Sequence, residues 1–97
     1  MSKRQAPTDC PVAAVAALLS DTWTMLIIRD LLRAPQRFGT LSQSLTGISS
    51  RTLTIKLKRL VEAGVATKSD SEYVITSQGR KLGRIIQAMA TYGKQYL

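Results

Sequence analysis

Ninety-seven residues, 44% of them hydrophobic, bound one globular domain rather than a disordered chain, and one whose stability margin is small unless a second copy helps to cover it. A net charge of +8, from 14 Lys and Arg against 6 Asp and Glu, favours a polyanionic partner, nucleic acid before an anionic membrane surface. With no His, one Cys, no obvious carboxylate pair and no glycine-rich phosphate loop, the chain lacks the usual means of metal ligation and acid–base catalysis, so neither an enzyme nor a cofactor or metal site is expected.

No apolar run approaches the roughly 18 residues of a membrane-spanning helix. The basic start Met1-Ser2-Lys3-Arg4 is followed too late by apolar residues to read as a signal peptide. No membrane partner is expected, and a cytoplasmic, nucleoid-associated location is.

Residues 1–9 are polar, contain Pro7 and read as a mobile N-terminal arm, a solvated terminus whose Lys3 and Arg4 are available to phosphates. Residues 10–97 then form one domain. Asp9 or Cys10 caps a first helix, with Pro11 at the first helical position, where its missing N–H costs nothing. From Val12 to Ser20 this helix is Ala-rich and apolar nearly all round. In so small a chain it must be covered on more than one side, which suggests burial against a partner copy.

Asp21 caps the next helix, Thr22 to about Arg33. Its apolar set, Trp23, Leu26, Ile27, Ile28 and Leu31, reads as core, with Trp23 the largest core side chain. Ala34-Pro35-Gln36 ends it and Arg37-Phe38-Gly39 is a short extended piece. Thr40 caps a short helix from Leu41 to Leu45, and Thr46-Gly47-Ile48 turns the chain into the next.

That next helix has both ends marked. Ser49 or Ser50 is its N-cap and Gly64 stands where a left-handed C-cap belongs. Leu53, Leu57, Leu60 and Val61 recur at helical spacing and define one buried stripe. The other face carries Arg51, Ile55, Lys58, Arg59 and Glu62, with Thr54 at its edge. Counting Lys56, this helix holds four cations against one acid. A helix buried on one side and basic on the other suits a duplex-reading role, with cations on phosphates and short hydroxyl side chains near its N-terminus letting the backbone approach base edges. The plainer reading of such a face is a solvated one. Residues 40–64 thus have the spacing of a helix-turn-helix.

Val65-Ala66-Thr67-Lys68 and Glu72-Tyr73-Val74-Ile75 read as two short strands joined through Ser69-Asp70-Ser71, a hairpin in the position of a wing. Thr76 or Ser77 caps a last helix running to the C-terminus. Gly79, Gly83 and Gly93 weaken it, yet Leu82, Ile85, Ile86, Met89 and Tyr96 form a continuous stripe. A helix with three glycines needs a surface to lie on, and a dimer arm is the preferred reading.

The combined pattern resembles the HxlR-type family of winged helix-turn-helix transcriptional regulators, which is related to the MarR regulators. The residues that carry the resemblance are Cys10-Pro11, Trp23-Thr24, Leu26-Ile27-Ile28-Arg29-Asp30-Leu31, Arg37-Phe38-Gly39-Thr40-Leu41, Gly47-Ile48-Ser49, Leu53, Leu57, Leu60, Gly64-Val65, and Tyr73 with Thr76, Gly79 and Leu82. The resemblance implies a mainly α fold with a small β-hairpin, dimerising through its first and last helices. It also implies a homodimer on double-stranded DNA whose second helix-turn-helix helix enters the major groove. The dimer contacts would then be Val12, Val15, Leu19, Leu82, Ile85, Ile86, Met89 and Tyr96. Some members sense electrophiles or oxidants through the Cys of the Cys-Pro pair, which makes Cys10 the implied redox-sensing residue. As the sole thiol, it could oxidise only to a sulfenate, a mixed disulfide or a bridge to the other subunit.

On this reading Ser50, Arg51, Thr54 and Ile55 face bases, and Arg37, Thr40, Lys58, Arg59 and Lys68 hold phosphates of a pseudo-palindromic operator. Two departures from the family stand out. Thr22 occupies a position where the family usually has Lys. The wing is short, with four residues between Lys68 and Tyr73, and Glu72 beside the Tyr would repel phosphate, so this wing is not expected to read a minor groove. The alternatives are a sequence-indifferent nucleic-acid binder and a winged-helix module that meets an acidic protein. The identity of any small-molecule effector stays open.

Overall fold

The computed structural model describes residues 10–97. The expected cap at Asp9 and the cations Lys3 and Arg4 lie outside the described residues. The elements are α1 (Pro11–Leu18), α2 (Thr22–Arg33), β1 (Gln36–Arg37), α3 (Phe38–Ser44), α4 (Ser50–Glu62), β2 (Ala66–Ser69), β3 (Glu72–Ile75), α5 (Ser77–Arg80) and α6 (Gly83–Tyr96). Among the described residues no single helix is long and apolar enough to cross a membrane.

The core lies where α2, α3, α4 and the sheet meet. Ile27, Ile28 and Leu31 of α2, Leu41 of α3, Leu45 just beyond it and Leu53, Leu57 and Leu60 of α4 are buried, closed by Val65, Ala66 and Ile75. The leucine stripe of α4 is therefore the inner face that its spacing indicated. Val61 is the exception: at 39% exposure it falls at the edge of that stripe and outside the core. Trp23 is only half-buried and packs against the rim of the cluster, so the largest core places go to aliphatic side chains. Leu19, expected at a dimer contact, is buried in the chain's own core.

Local chemistry fixes the ends of α4. The Ser49 hydroxyl accepts from the Thr52 N–H at 3.0 Å. At the other end the Gly64 N–H donates to the Val61 carbonyl and the Val65 N–H to that of Leu60, the paired bonds of a Schellman turn. The turn needs a left-handed residue, and Gly64 takes φ +80. Because Val65 closes the helix, the first hairpin strand starts one residue later than the sequence suggests, at Ala66.

The hairpin has a third strand that the sequence did not announce. The antiparallel order is β1-β3-β2, with Gln36 opposite Tyr73 and Arg37 opposite Glu72. In the hairpin Lys68 faces Tyr73 and Ser69 faces Glu72, leaving a two-residue turn in which Asp70 takes φ 56. Two further boundaries move. Thr40 lies inside α3 and caps nothing, because the helix starts at Phe38, whose half-buried ring packs on the core as soon as β1 ends. The expected continuous last helix is broken at Lys81–Leu82. Thr76 caps the short α5, its hydroxyl accepting from the Gly79 N–H at 2.9 Å. The chain then turns through the tighter bonds Lys81 N–H to Gln78 and Leu82 N–H to Gly79, which lets α6 lie on α2 with Gly83 against Leu32.

Candidate nucleic-acid interface

Helix α4 presents Ser50, Arg51, Thr54, Ile55, Lys58, Arg59 and Glu62 on its exposed side. Ile55, an apolar side chain among cations, is 51% exposed. The Thr54 hydroxyl donates to the Ser50 carbonyl at 2.8 Å, so its proton is used within the helix and its methyl and oxygen lone pairs are left for an outside contact.

The cations divide into two sets that the sequence did not separate. Arg51 and Lys58 are exposed and enter no ion pair among the described residues. Lys56, half-buried, and Arg59, still exposed, both reach the corner between α1 and α2. The Lys56 ammonium lies 3.0 Å from Asp21 Oδ2. The Arg59 Nη2 donates to the Ala17 carbonyl at 2.9 Å. Arg59, read above as a phosphate contact, thus already has a backbone partner. Asp21 serves two elements at once. Its Oδ1 accepts from the Thr24 N–H at 2.8 Å, capping α2, while Oδ2 accepts from the Thr24 hydroxyl as well as from Lys56. Burial pushes the Asp21 carboxyl up, but the Thr24 N–H, the Lys56 ammonium and the Thr24 hydroxyl together outweigh it and hold the group below the usual carboxylate value.

The other expected phosphate contacts flank α4. Arg37 ends β1 and precedes α3, and Thr40 is on the first turn of α3, both exposed. Lys68 is on the hairpin, 5.5 Å from the centroid of the Tyr73 ring, a cation–π distance that steadies it on the strand. Glu72 lies beside Tyr73 and opposite both Arg37 and Ser69, so the acid that departs from the family pattern stands in the middle of the sheet's outer end.

The packing of α3 depends on a residue that the sequence reading named only within the run Leu26–Leu31 and gave no role. Asp30 is 3% exposed and accepts from the Ser44 hydroxyl at 2.8 Å and from Arg29 Nε at 3.0 Å. It joins α2 to the end of α3, the helix that leads into the turn before α4. An acid embedded in the run Leu26–Leu32 was the available signal, since a buried carboxylate must be paired.

Away from α4, the first and last helices leave apolar surface uncovered. No residue of α1 or α6 itself is fully buried. Pro11, Val12, Val15, Ala16, Leu19 and Ile85 line one apolar hollow between the two helices. Val12 is 78% exposed, and Ile85, Met89, Tyr92 and Tyr96 are also open. Leu82 and Ile86, by contrast, turn partly inward onto the core. Cys10 is a free, exposed thiol at the N-cap of α1, next to Pro11 at the edge of the hollow, and its side chain makes no capping bond.

Comparison with known proteins gives a consistent set. Residues 18–97 match the model of a family described as HxlR-like helix-turn-helix. An uncharacterized HTH-type transcriptional regulator of Synechocystis sp. is 32% identical over 95 residues, 91% of this chain and 70% of that protein. One of Mycobacterium tuberculosis is 37% identical over 93 residues, 89% of this chain and 58% of its own length, so the chain spans a little over half of that relative. The HTH-type transcriptional regulator YodB of Bacillus subtilis is 30% identical over 92% of this chain and 87% of its own. The crystal structure of quinone-bound YodB superposes with a TM-score of 0.83 at 28% identity, covering 90% of this chain and all of that one.

Proposed function

Since the chain belongs to the HxlR-like helix-turn-helix family and shares the winged-helix fold of its relatives, it is a transcriptional regulator rather than an enzyme, and we propose that it works as a homodimer on a pseudo-palindromic DNA operator, with Cys10 as a thiol switch. The observation that carries this reading is the division of the α4 cations. Two are engaged by partners within the chain, Lys56 by Asp21 and Arg59 by the Ala17 carbonyl, while Arg51 and Lys58 enter no ion pair among the described residues and stand on an exposed face with Ser50 and Ile55.

On that face Arg51 is suited to a bidentate bond with guanine and Ile55 to contact with a thymine methyl. Lys58, Arg37, Thr40 and Lys68 would neutralise phosphates and fix the register without reading sequence. A homodimer sets two such helices about one duplex turn apart, roughly 34 Å, which requires a two-fold related site. The uncovered surfaces of α1 and α6 supply the surface for a second copy: Val12, Val15, Ile85, Met89 and Tyr96 are open, while Leu19, Leu82 and Ile86 support them from the core side.

The thiol reading rests on the position of Cys10, a free thiol exposed at the start of α1 beside the apolar hollow. The similar protein YodB has been solved in a quinone-bound form. In this chain an adduct at Cys10, or a disulfide to the partner's thiol, would load the end of α1 next to the apolar hollow and disturb the dimer.

The test is binding of the purified protein to DNA upstream of its own gene, against random competitor, at two salt concentrations, reduced and after diamide. Competitor-resistant binding that oxidation abolishes is the expected result. Equal affinity for operator and random DNA would replace it with a sequence-indifferent binder, and no salt-dependent DNA binding with a module for an acidic protein.

A further inference from the structure

We infer that Arg59 is a positioning residue, not a phosphate ligand: its bond to the Ala17 carbonyl, with the neighbouring Lys56–Asp21 pair, clamps α4 to the α1–α2 corner, so that the seating of α1 and the orientation of α4 change together.

Three observations converge. The first is the acceptor. Ala17 is in the last turn of α1, where carbonyls have lost their helical partners and carry the negative end of the helix dipole. The Arg59 guanidinium, 42 positions away, donates to that carbonyl at 2.9 Å. The second is the pairing with Lys56. It lies three residues earlier, one turn along the same side of α4, and reaches Asp21 at 3.0 Å. The two cations therefore hold the two sides of a single corner, the last turn of α1 and the cap of α2. The third is the looseness of what they hold. Helix α1 has eight residues and none of them is fully buried. A helix with so little packing takes its seat from a few contacts, and a hydrogen bond from a side chain 42 positions away is one of them.

The consequence deepens the DNA-binding reading and rests on it. Any event that shifts α1, whether a second copy covering its apolar hollow or a change at Cys10 on its N-cap, is carried by Arg59 to the helix that faces DNA. Coupling of this kind is reciprocal, so DNA bound on α4 must in turn steady α1.

The experiment compares wild type, Arg59→Ala and Arg59→Lys in the full chain, with Lys58→Ala as a phosphate-contact control and circular dichroism to check folding. In the DNA-free protein, amide hydrogen exchange over residues 11–20 should be several-fold faster in Arg59→Ala, with Arg59→Lys restored toward wild type; unchanged rates would overturn the clamp without reference to DNA. With a specific duplex at saturation, the same amides should become further protected in wild type and not in Arg59→Ala. Equal added protection in both would overturn the coupling. The salt dependence of affinity separates the two roles of the residue. Losing a phosphate contact lowers the slope of log K against log salt by about one, which is expected for Lys58→Ala. Arg59→Ala should weaken binding a few-fold with the slope unchanged, and a slope reduced by about one would return Arg59 to the phosphate contacts.

Discussion

The Asp21 carboxylate caps α2 through Oδ1 and, through Oδ2, which also accepts from the Thr24 hydroxyl, holds the Lys56 ammonium of α4 at 3.0 Å, 35 positions further along the chain. One side chain thus both starts the core helix and fixes the angle of the helix that faces outward.

Its charge makes stability depend on pH. The folded state holds the Asp21 carboxyl below its usual value, so its contribution is fully present above the usual carboxylate range and is lost as pH falls through the lowered folded value. Asn still caps a helix but cannot pair with Lys56, so Asp21→Asn should cost about 0.5–1 kcal/mol near neutral pH. Asp21→Ala loses cap and pair together and should cost about 1–2 kcal/mol. Urea unfolding at neutral pH and near pH 3 checks the sign: the gap between wild type and Asp21→Asn should narrow in acid.

Glycines give a contrast of sign. A methyl added to Gly79 would collide with the Val65 carbonyl oxygen, backbone that accepts the Thr76 N–H and cannot yield without opening the junction of α4 and the hairpin. Gly79→Ala should destabilise by more than about 3 kcal/mol. Gly93 lies inside α6 with open space around its added methyl. Gly93→Ala should stabilise by about 0.5–1 kcal/mol. Thermal melts of the two variants should move in opposite directions.

The elements legible in the sequence are those whose ends are set by local chemistry. Ser49 and Gly64 bracket α4, Asp21 starts α2 and Thr76 starts α5, because a hydroxyl or carboxylate reaching a free N–H three residues on, or a glycine taking positive φ, is decided by neighbours in the chain. The features that escaped depend on distant partners. Two residues, Gln36 and Arg37, have no periodicity of their own and become a strand only because β3 lies beside them. The break at Lys81–Leu82 follows from α6 lying on α2. The exposed face of α4 was legible as a set, since Arg51, Ile55 and Lys58 all stand outward. The sorting of its cations was not, because Lys56 and Arg59 meet acceptors 35 and 42 positions away. Wheel position says which side a residue occupies and nothing about the element that arrives there.

Arg51 and Lys58 should separate by the kind of affinity each loses. Arg51→Ala should cost about 1–3 kcal/mol per half-site and relax discrimination at one base pair, whereas Lys58→Ala should weaken all sequences alike. Titrations against operator and against single-base variants of it check both. Equal weakening of operator and random DNA by the two substitutions would remove Arg51 from the base-reading set.

Self-association can be tested apart from folding. Val12 is 78% exposed and Leu19 is 8% exposed, although they were expected in one interface. Val12→Asp should leave the monomer fold intact and shift sedimentation toward the monomer at micromolar protein. Leu19→Ala should instead cost about 2–4 kcal/mol by leaving a cavity in the chain's own core. Unchanged sedimentation of Val12→Asp would take α1 out of the interface.

Cys10 offers an unusually clean substitution. Its side chain makes no capping bond, although it occupies the N-cap of α1 in the extended backbone geometry that a cap requires. Serine is a preferred N-cap residue whose hydroxyl can take a free N–H of the first turn, so Cys10→Ser should leave stability unchanged or raise it by about 0.5 kcal/mol. A fall in DNA binding by the reduced variant therefore could not be blamed on a weakened α1. If the thiol is the switch, Cys10→Ser binds operator like the reduced wild type and keeps binding after diamide, while the wild type releases it. Non-reducing electrophoresis then distinguishes the products, since a covalent dimer marks a bridge between two Cys10 thiols and a monomer of altered mass marks an adduct. If diamide lowers the affinity of Cys10→Ser as much as that of wild type, Cys10 is a structural side chain and the regulator answers to something other than its thiol.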